Sequence, residues 1–282
     1  KICRRTRAKA FWRIVAKSIT KTEYFRLFLL SREAMEVTRG TIQFYTVKLG
    51  KFLSKLNPNK AQRQDIEAFL LKFKNPGNRN AYYRSIKTFY NWREETFGLP
   101  SPMIHMKAPK IPKVILPVLT KEEVQYLIDY TNNIRNKAII SFFVESGQRL
   151  TAAAAIKPED INWEHRIIKV RAKGQKEAFA TFGDMTAGYL KEWLAQYQPD
   201  SNIWGIDKWG IISMLRRLEK ATGIKCNAHV FRRTFACLLR REGVPTLAIK
   251  DLGGWETSAM VEHYTRSMGF QDSLKFYKGP LS

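Results

Sequence analysis

The amino-acid sequence predicts a mainly α-helical protein with a small β-sheet, an α+β fold in two domains. Apolar residues recur every three or four positions through much of the chain, as they do on one face of a helix. Near the middle, a proline-rich basic stretch interrupts this pattern. In the second half, two strand-like segments flank Lys173-Gly174-Gln175-Lys176, which indicates a β-hairpin with a basic tip.

The charge of the chain predicts a polyanionic partner. The 282 residues include 49 Lys and Arg against 25 Asp and Glu, a net charge of +24. Residues 1–113 hold 25 of the basic and only 7 of the acidic residues. An excess of this size, concentrated in one part of the chain, predicts nucleic-acid binding. The 44% of hydrophobic residues is enough to bury cores, which excludes wholesale disorder.

Residues 1–112 are interpreted as a helical, basic DNA-binding domain. Three apolar faces at helical spacing form its core: Ile42, Tyr45, Leu49, Phe52 and Leu56; Ile66, Phe69, Leu70 and Phe73; Tyr82, Ile86, Phe89 and Phe97. The other faces carry cations that we expect to bind DNA phosphates: Lys48, Lys51, Lys55, Arg79, Arg84, Lys87 and Arg93. Any one of these side chains is more simply a solvated surface cation, but the asymmetric set as a whole favours DNA.

Residues 113–119 are interpreted as a linker, because Pro112 and Pro117 interrupt any helix around them. Thr120 and Glu123 then have the spacing of a capping box, which predicts that the catalytic domain, 120–282, begins with a helix. Its helices are predicted at 121–131, 134–146, 185–196, 208–221, 229–241, 245–251 and 258–264, and its strands at 167–171 and 178–182.

The sequence lacks the usual equipment for metal or nucleotide chemistry. No carboxylates cluster as a catalytic metal requires, Cys226 and His229 have no second pair for zinc, and no GxxxxGK[ST] loop occurs. The three cysteines predict no disulfide framework, and no apolar run suits a membrane span. We therefore expect no metal and no cofactor. The remaining possibility is metal-free phosphoryl transfer, in which a side-chain hydroxyl attacks a phosphate and cationic side chains take the place of the metal.

Candidate residues for this chemistry follow one another along the second half of the chain. Arg149 ends a helix, and Lys173 lies at the hairpin tip with Lys176 as its alternative. His229 and Arg232 are three residues apart and therefore share one face of a helix. Trp255 precedes Tyr264 by nine residues.

These segments resemble the active-site boxes of the tyrosine recombinases, the integrase family of site-specific DNA recombinases. ESGQRL resembles the box T-G-x-R-[IL], and IKVRAKGQKE resembles the strand-KG-x-K-strand hairpin. AHVFRRTFA is similar to H-x-x-R-H-T-[FA]-A, and IKDLGGWETSAMVEHYT is similar to I-x-x-x-L-G-H-x-x-x-x-T-x-x-Y. The match spans about residues 120–266, whereas residues 1–112 resemble the core-binding domain of the family in pattern only.

The resemblance implies a role for each matched residue. Tyr264 would attack the scissile phosphate and form a 3′-phosphotyrosyl link, leaving a free 5′-hydroxyl. Arg149 and Arg232 would hold the phosphate and stabilise its pentavalent transition state. Lys173 would protonate the leaving 5′ oxygen.

His229 would help to deprotonate Tyr264 or bond to a non-bridging oxygen, and Trp255, in place of the commoner histidine, would supply an indole N–H. The chain departs from the family pattern at three further positions. Ala152 stands where an acid often supports the first arginine, Ala178 replaces a common arginine, and Arg233 replaces a frequent second histidine. These departures suggest a divergent member, from a virus or plasmid, and something other than an acid must orient Arg149.

The resemblance also implies a C-shaped clamp around double-stranded DNA attachment sites, needing neither ATP nor metal. Four protomers on two duplexes would exchange strands through a Holliday junction, whereas without DNA the chain would be a monomer or weak oligomer. The C-terminal tail, 268–282, would dock on a neighbouring protomer or fold back on its own domain. We expect a cytoplasmic, nucleoid-associated protein with no membrane partner.

Two other functions share this sequence pattern. The chain would act as a DNA-binding module if catalysis had been lost, for which Ala152 argues mildly and the intact set of site residues argues against. It would act as a type IB topoisomerase-like relaxer if it worked alone and without site choice. Covalent cleavage of DNA would distinguish the recombinase from the binding module. Site-dependent joining of two DNAs would distinguish it from the topoisomerase-like relaxer.

Overall fold

The computed structural model describes residues 18–112, 114, 116–171, 177–269, 272, 274, 276 and 277. The chain divides after Lys113 into two compact units. Helices dominate both units in the described part of the chain, and the second unit also has a three-stranded sheet. The predicted fold class, mainly α with a small β-sheet, is confirmed.

The first unit is built from α1 (Lys21–Glu33), α2 (Arg39–Lys55), α3 (Arg63–Leu71) and α4 (Pro76–Phe97). Side chains at the helix starts accept hydrogen bonds from the first turn, as Thr20, Thr38 and Asn75 do for α1, α2 and α4. Gly98, with a φ of 67°, ends α4 in the left-handed conformation that favours glycine. The periodicity analysis identified α2, α3 and α4 and missed α1.

The core of the first unit is largely aromatic. Tyr24 and Phe28 of α1 meet Phe89 and Trp92 of α4 edge to face, with ring centroids 5.5–6.5 Å apart. Edge-to-face pairs of this kind add stabilisation beyond the burial of apolar area. Of the predicted core residues, nine are buried, namely Leu49, Phe52, Ile66, Phe69, Leu70, Tyr82, Ile86, Phe89 and Phe97, whereas Ile42, Tyr45, Leu56 and Phe73 are only partly buried. The prediction that Arg93 lies on the basic exterior is wrong, because Arg93 is buried and donates to the Pro58 carbonyl at 2.5 Å.

The second unit contains eight helices in the described residues: α5 (Lys121–Tyr130), α6 (Ile134–Ser146), α7 (Leu150–Ala153), α8 (Asp184–Gln196), α9 (Lys208–Thr222), α10 (Ala228–Arg241), α11 (Thr246–Leu252) and α12 (Ser258–Tyr264). Seven of them match the predicted helices within one residue at either end, and the four-residue α7 was not predicted. The predicted capping box is present, since Thr120 and Glu123 exchange hydrogen bonds at the start of α5.

The sheet is antiparallel, in the order β1 (Ile161–Asn162), β2 (Ile167–Arg171) and β3 (Glu177–Thr181). Ile168 pairs with Ala180, and both side chains face the core. The second predicted strand is shifted by one residue, and β1 was not predicted. Residues 172–176, with Lys173 and Lys176, lie outside the described residues, so the predicted roles of these two lysines stay predictions.

Residues 114–119, assigned above to the linker, group with the second unit. Leu119 is buried in the core of this unit, among residues of α5 and α6 such as Leu127 and Ile140. Within the described residues, none of the helices combines the length and apolarity needed to cross a lipid bilayer.

The described residues of the C-terminal tail contact their own chain. Arg241, at the end of α10, donates to Asp272 with 3.0 Å between Nε and Oδ1. Phe276 lies against Gly243, where an added Cβ would stand 3.0 Å from the ring. Docking of the tail on a neighbouring protomer stays a prediction.

Candidate active site

The N-terminal half of α10 carries two of the predicted site residues. The Asn227 side chain accepts hydrogen bonds from the backbone N–H groups of His229 and Val230, both at 3.1 Å, and so starts the helix. His229 and Arg232 follow on adjacent turns of the same face. The cap therefore fixes where an imidazole and a guanidinium leave the helix.

Arg232 is the most enclosed of the candidates, with 1% of its surface exposed. Its Nη1 donates to the carbonyl of Gly147, and its Cζ lies 4.0 Å from the centroid of the Trp255 ring. Gly147 has a φ of 59°, and an added Cβ would lie 2.4 Å from the Phe235 ring, so only glycine fits there. Nη2 of Arg232 is buried without a partner in the described structure.

Burial and the nearby charge of Arg149 lower the pKa of Arg232, while the electrostatic interaction with Tyr264 opposes the shift. The lowered pKa stays far above neutral, so Arg232 is a buried cation that faces another cation. A phosphate between the two guanidiniums would relieve this repulsion and accept from the unpartnered N–H.

Trp255 packs against the Arg232 guanidinium and has 4% of its surface exposed. Its ring stacks on Phe235, with centroids 6.2 Å apart, and α11 ends so close to it that a Cβ on Gly253 would lie 1.8 Å from Trp255 Cζ3. Its indole Nε1 is buried and has no partner in the described structure. Trp255 is thus a core residue whose indole N–H is available to donate a hydrogen bond.

Tyr264 is the last residue of α12, half-buried beside Trp255. Its ring centroid lies 5.5 Å from that of Trp255. The next residue, Thr265, fixes the helix end, because its hydroxyl accepts from Arg240 at 2.8 Å and donates to the Val261 carbonyl at 3.1 Å. The predicted nucleophile therefore stands beside the two buried side-chain N–H groups that have no partner in the described part of the second unit.

Arg149 lies at the start of α7 and is half-buried. Its Nη1 approaches the carbonyl of Gly254 at 3.4 Å. The buried Ala152 stands one turn further on. Where the family often has an acid, the described structure thus offers Arg149 only this long contact with a backbone carbonyl.

His229 is the remaining predicted site residue within the described part of the chain. Partial desolvation lowers the pKa of its imidazole, and the charges of Arg233, Arg232 and Arg149 act in the same direction. The ring is therefore neutral at pH 7 and able to accept a proton.

Arg149, His229 and Arg232 line part of a cleft of about 870 Å³, whereas Trp255 and Tyr264 are not among its lining residues. Its other side is α9, which contributes Arg216 and Lys220. The sequence analysis predicted this helix but did not single out these two cations. The basic, exposed face of α9 in the segment RRLEK is the sequence feature that could have identified them. Among the described residues, no group of three or more His, Cys, Asp or Glu side chains is arranged to hold a metal ion.

In the first unit, aromatic rings support the predicted DNA-binding cations. Phe73 and Tyr82 stack with centroids 3.9 Å apart. Lys48 Nζ lies 4.5 Å from the Tyr82 centroid and 2.6 Å from the Asn78 side-chain oxygen, and Lys51 Nζ lies 5.3 Å from the Phe73 centroid. These contacts restrict the long side chains, which lowers the entropy that they lose when they bind a phosphate.

The other cations of this set lie on α2 and α4. Arg79 Nε donates to the Phe73 carbonyl at 3.0 Å, and Arg84 and Lys87 lie near the rings of Phe44 and Tyr83. Lys55 is exposed in the last turn of α2. The structure thus gathers Lys48, Lys51 and Arg79 around one aromatic pair.

Fold and site together define an enzyme class that cleaves and joins DNA strands, the tyrosine recombinases. The sequence profile of the phage integrase family matches residues 117–269, and the chain belongs to this family. Tyrosine recombinase XerA of Pyrococcus horikoshii is 24% identical over 265 residues, which cover 89% of this chain and 91% of the relative. Tyrosine recombinase XerD of Listeria monocytogenes is 22% identical over 276 residues, 86% of this chain and 92% of the relative.

Solved structures share the fold. A lambda integrase dimer bound to a COC′ core site has a TM-score of 0.76 at 15% identity, covering 92% of this chain and 81% of that chain. The XerH recombinase bound to a palindromic difH substrate has a TM-score of 0.68 at 18% identity, covering 87% of this chain and 81% of that chain.

Proposed function

We propose that this chain is a site-specific recombinase that cuts and rejoins double-stranded DNA through Tyr264, without a metal ion. One observation carries the proposal. Beside Tyr264, Arg232 Nη2 and Trp255 Nε1 are buried N–H groups with no partner among the described residues. Leaving such donors unsatisfied costs roughly 1–3 kcal/mol each. Two oxygens of a scissile phosphate are the acceptors that would satisfy both.

The proposed reaction combines this observation with the roles that the family resemblance implies. Tyr264 Oη attacks phosphorus while the bond from phosphorus to the 5′ oxygen breaks, which leaves a 3′-phosphotyrosyl link and a free 5′-hydroxyl. The neutral imidazole of His229 takes the proton of the tyrosine, and Lys173 returns a proton to the 5′ oxygen. Arg149 and Arg232 stabilise the negative charge of the pentavalent state.

The phosphotyrosyl bond keeps the energy of the broken phosphodiester, so a 5′-hydroxyl from a second duplex can reverse the step without ATP. This favours exchange between two attachment sites through a Holliday junction, carried out by four protomers. Neighbours of the same fold include a lambda integrase tetramer bound to a Holliday junction, which supports this part of the proposal. We assign the reaction to a mobile element, from a virus or plasmid.

DNA binding by the first unit would use Lys48, Lys51 and Arg79 on phosphates. Each phosphate contact releases condensed counterions and contributes about 0.9 to the slope of log affinity against log salt concentration. Lys51→Gln should therefore weaken binding at all sequences and lower this slope by about 1, measured by fluorescence anisotropy. Lys72→Gln, an exposed lysine outside this set, is the matched control.

Trapped cleavage tests the proposed reaction. A duplex selected from a random-core library by binding to the chain is nicked near its centre, so that the short fragment diffuses away after cleavage. We expect a protein–DNA adduct on a denaturing gel in the presence of EDTA. The adduct should be lost with Tyr264→Phe and retained with Tyr277→Phe.

The same assay separates the alternatives. A selected duplex that is bound but never cleaved would support the binding-module function. Cleavage together with relaxation of supercoiled plasmids that lack the site would support a topoisomerase-like relaxer. Joining of two DNAs only when both carry the selected site is the result expected of a recombinase.

A further inference from the structure

The catalytic helix α10 also holds the polypeptide that enters the second unit. Arg233 Nε donates to the Pro117 carbonyl at 3.1 Å, and the Leu119 backbone N–H donates to the Thr234 hydroxyl at 3.0 Å. Arg233 and Thr234 are 8% and 0% exposed, so both bonds are shielded from water. We call this pair of bonds the α10 anchor.

The α10 anchor lies directly beside the site. Arg232, which faces Trp255 and Gly147, immediately precedes Arg233 and Thr234. Successive residues of a helix point in directions about 100° apart, so one turn of α10 holds the pocket on one side and residues 117–119 on the other. Any shift of α10 that loosens the anchor moves Arg232 as well.

The upstream end of the same connection is held on the first unit. The Tyr83 hydroxyl donates to the Met106 carbonyl at 2.5 Å, and the Asn80 side chain donates to the Pro109 carbonyl at 2.9 Å. Both donors lie on α4, which also carries Arg79, Arg84 and Lys87. The connection is thus bonded to the basic helix of one unit and to the catalytic helix of the other, with residues 110–116 between the two attachments.

Two physical roles are open to Arg233. Its guanidinium interacts electrostatically with Tyr264, so its charge would stabilise a developing phenolate. Alternatively, its Nε–H acts as a tie between α10 and the Pro117 carbonyl, which would otherwise be left without this donor. The direct bond of 3.1 Å and the second bond at the adjacent Thr234 favour the tie.

We propose that Arg233 is a positioning residue, which ties the interdomain connection to α10 and thereby keeps Arg232 and His229 in the geometry required for cleavage. The proposal rests on the recombinase function proposed above. It assigns a role to a position where the family frequently has histidine.

Two isosteric substitutions separate the tie from the charge. In Arg233→Gln, the amide nitrogen occupies the place of Nε, three bonds beyond Cβ, so the donor stays while the charge is lost. In Arg233→Met, a methyl group occupies this place, and both are lost. The full chain is compared in three assays: affinity for the selected duplex, the first-order rate of trapped cleavage at saturating protein, and tryptic cleavage after Lys113 without DNA.

We expect Arg233→Gln to cleave DNA within about threefold of the wild-type rate and Arg233→Met to be slower by roughly tenfold or more, with DNA affinity unchanged in both. Trypsin should cut after Lys113 several-fold faster in Arg233→Met than in wild type or Arg233→Gln. Cutting after Lys107, beside the upstream attachment, should not change.

Equal loss of cleavage in Arg233→Gln and Arg233→Met, with unchanged proteolysis, would overturn the proposal and assign the effect to charge. Wild-type cleavage in Arg233→Met would also overturn it. If Arg233→Met does not fold, as judged by circular dichroism, the pair Thr234→Ser and Thr234→Val decides in the same way. If wild-type protein never cleaves, the recombinase function fails, whereas the proteolysis pattern still tests the anchor.

Discussion

The candidate site has a buried half and an open half. In the buried half, Arg232 and Trp255 are at most 4% exposed and are fixed by Gly147 and Phe235. In the open half, Arg149 is half-buried and has a single long contact, 3.4 Å, with the Gly254 carbonyl. We infer that one half of the proposed phosphate site is already formed in the free protein, whereas the other half would be completed by the DNA.

The difference has an energetic meaning. Donors that are already oriented need no reorganisation during the reaction, and they act in a medium that strengthens electrostatic interactions. The open half can instead adapt to the DNA as it enters. We therefore expect the buried half to dominate the rate of cleavage and the open half to contribute less per residue.

The largest effect should come from conservative replacement of the two arginines. Arg232→Lys removes the planar fork that reaches both Gly147 and the phosphate, so the rate of trapped cleavage should fall about 1000-fold. Arg149→Lys should lower the same rate only about tenfold, because the Arg149 side chain is not held in one position before DNA binds. First-order rates at saturating protein measure both, and melting temperatures control for folding. Equal losses would remove the distinction between the halves.

Trp255 should show the next largest effect. Trp255→Phe keeps the ring that faces Arg232 and loses the buried Nε1–H, so cleavage should slow about 100-fold while the fold stays intact. Trp255→His restores a donor with a smaller ring and should recover part of this loss. If Trp255→Phe cleaved at the wild-type rate, Trp255 would be only a packing residue.

The pH dependence of cleavage should reveal His229. Because desolvation lowers the pKa of this imidazole below its ordinary value of 6.5, the proton-accepting form predominates at pH 7 and is lost as the pH falls through that lowered pKa. The cleavage rate should therefore drop on the acid side by about tenfold per pH unit. His229→Gln should be slow throughout, without this drop. An identical acid limb in the variant would exclude His229 as the base.

The smallest effect should be a gain. A cavity of about 220 Å³ is lined in part by Arg149, Ala152 and Gly254, so a longer side chain at position 152 has space. Ala152→Glu should bond to Arg149 and orient it better than the Gly254 carbonyl does, raising the cleavage rate by about two- to fivefold. Ala152→Gln, equal in size and uncharged, is the control. A loss of rate in Ala152→Glu alone would mean that Arg149 must stay free to reach the phosphate.

The predictable features of the site depend on short-range patterns. The i, i+3 spacing of His229 and Arg232 and the capping signal at Thr120 are local, and both occur in the structure as predicted. Arg149, Trp255 and Tyr264 were found through the resemblance, and the structure places Tyr264 beside Trp255 and Arg149 beside the neighbouring Gly254 carbonyl.

The unpredicted features depend on contacts between distant residues. The bond from Arg233 to Pro117 joins positions 116 residues apart, and the one from Arg149 to Gly254 joins positions 105 apart. Both use a backbone carbonyl, which every residue has, so the sequence carries no signal for them. Helix α1 was missed for a different reason: Leu27, Phe28, Leu29 and Leu30 are consecutive apolar residues, so no single face stands out.

The most direct test of the account is to identify the residue that becomes attached to DNA. The trapped adduct, formed in EDTA on the nicked duplex, is digested with trypsin and nuclease and analysed by mass spectrometry. The account predicts a nucleotide on the peptide 251–266, carried by Tyr264 and linked through the 3′ phosphate of the cut strand. A nucleotide on a peptide containing Tyr277, or a linkage through the 5′ phosphate, would contradict it.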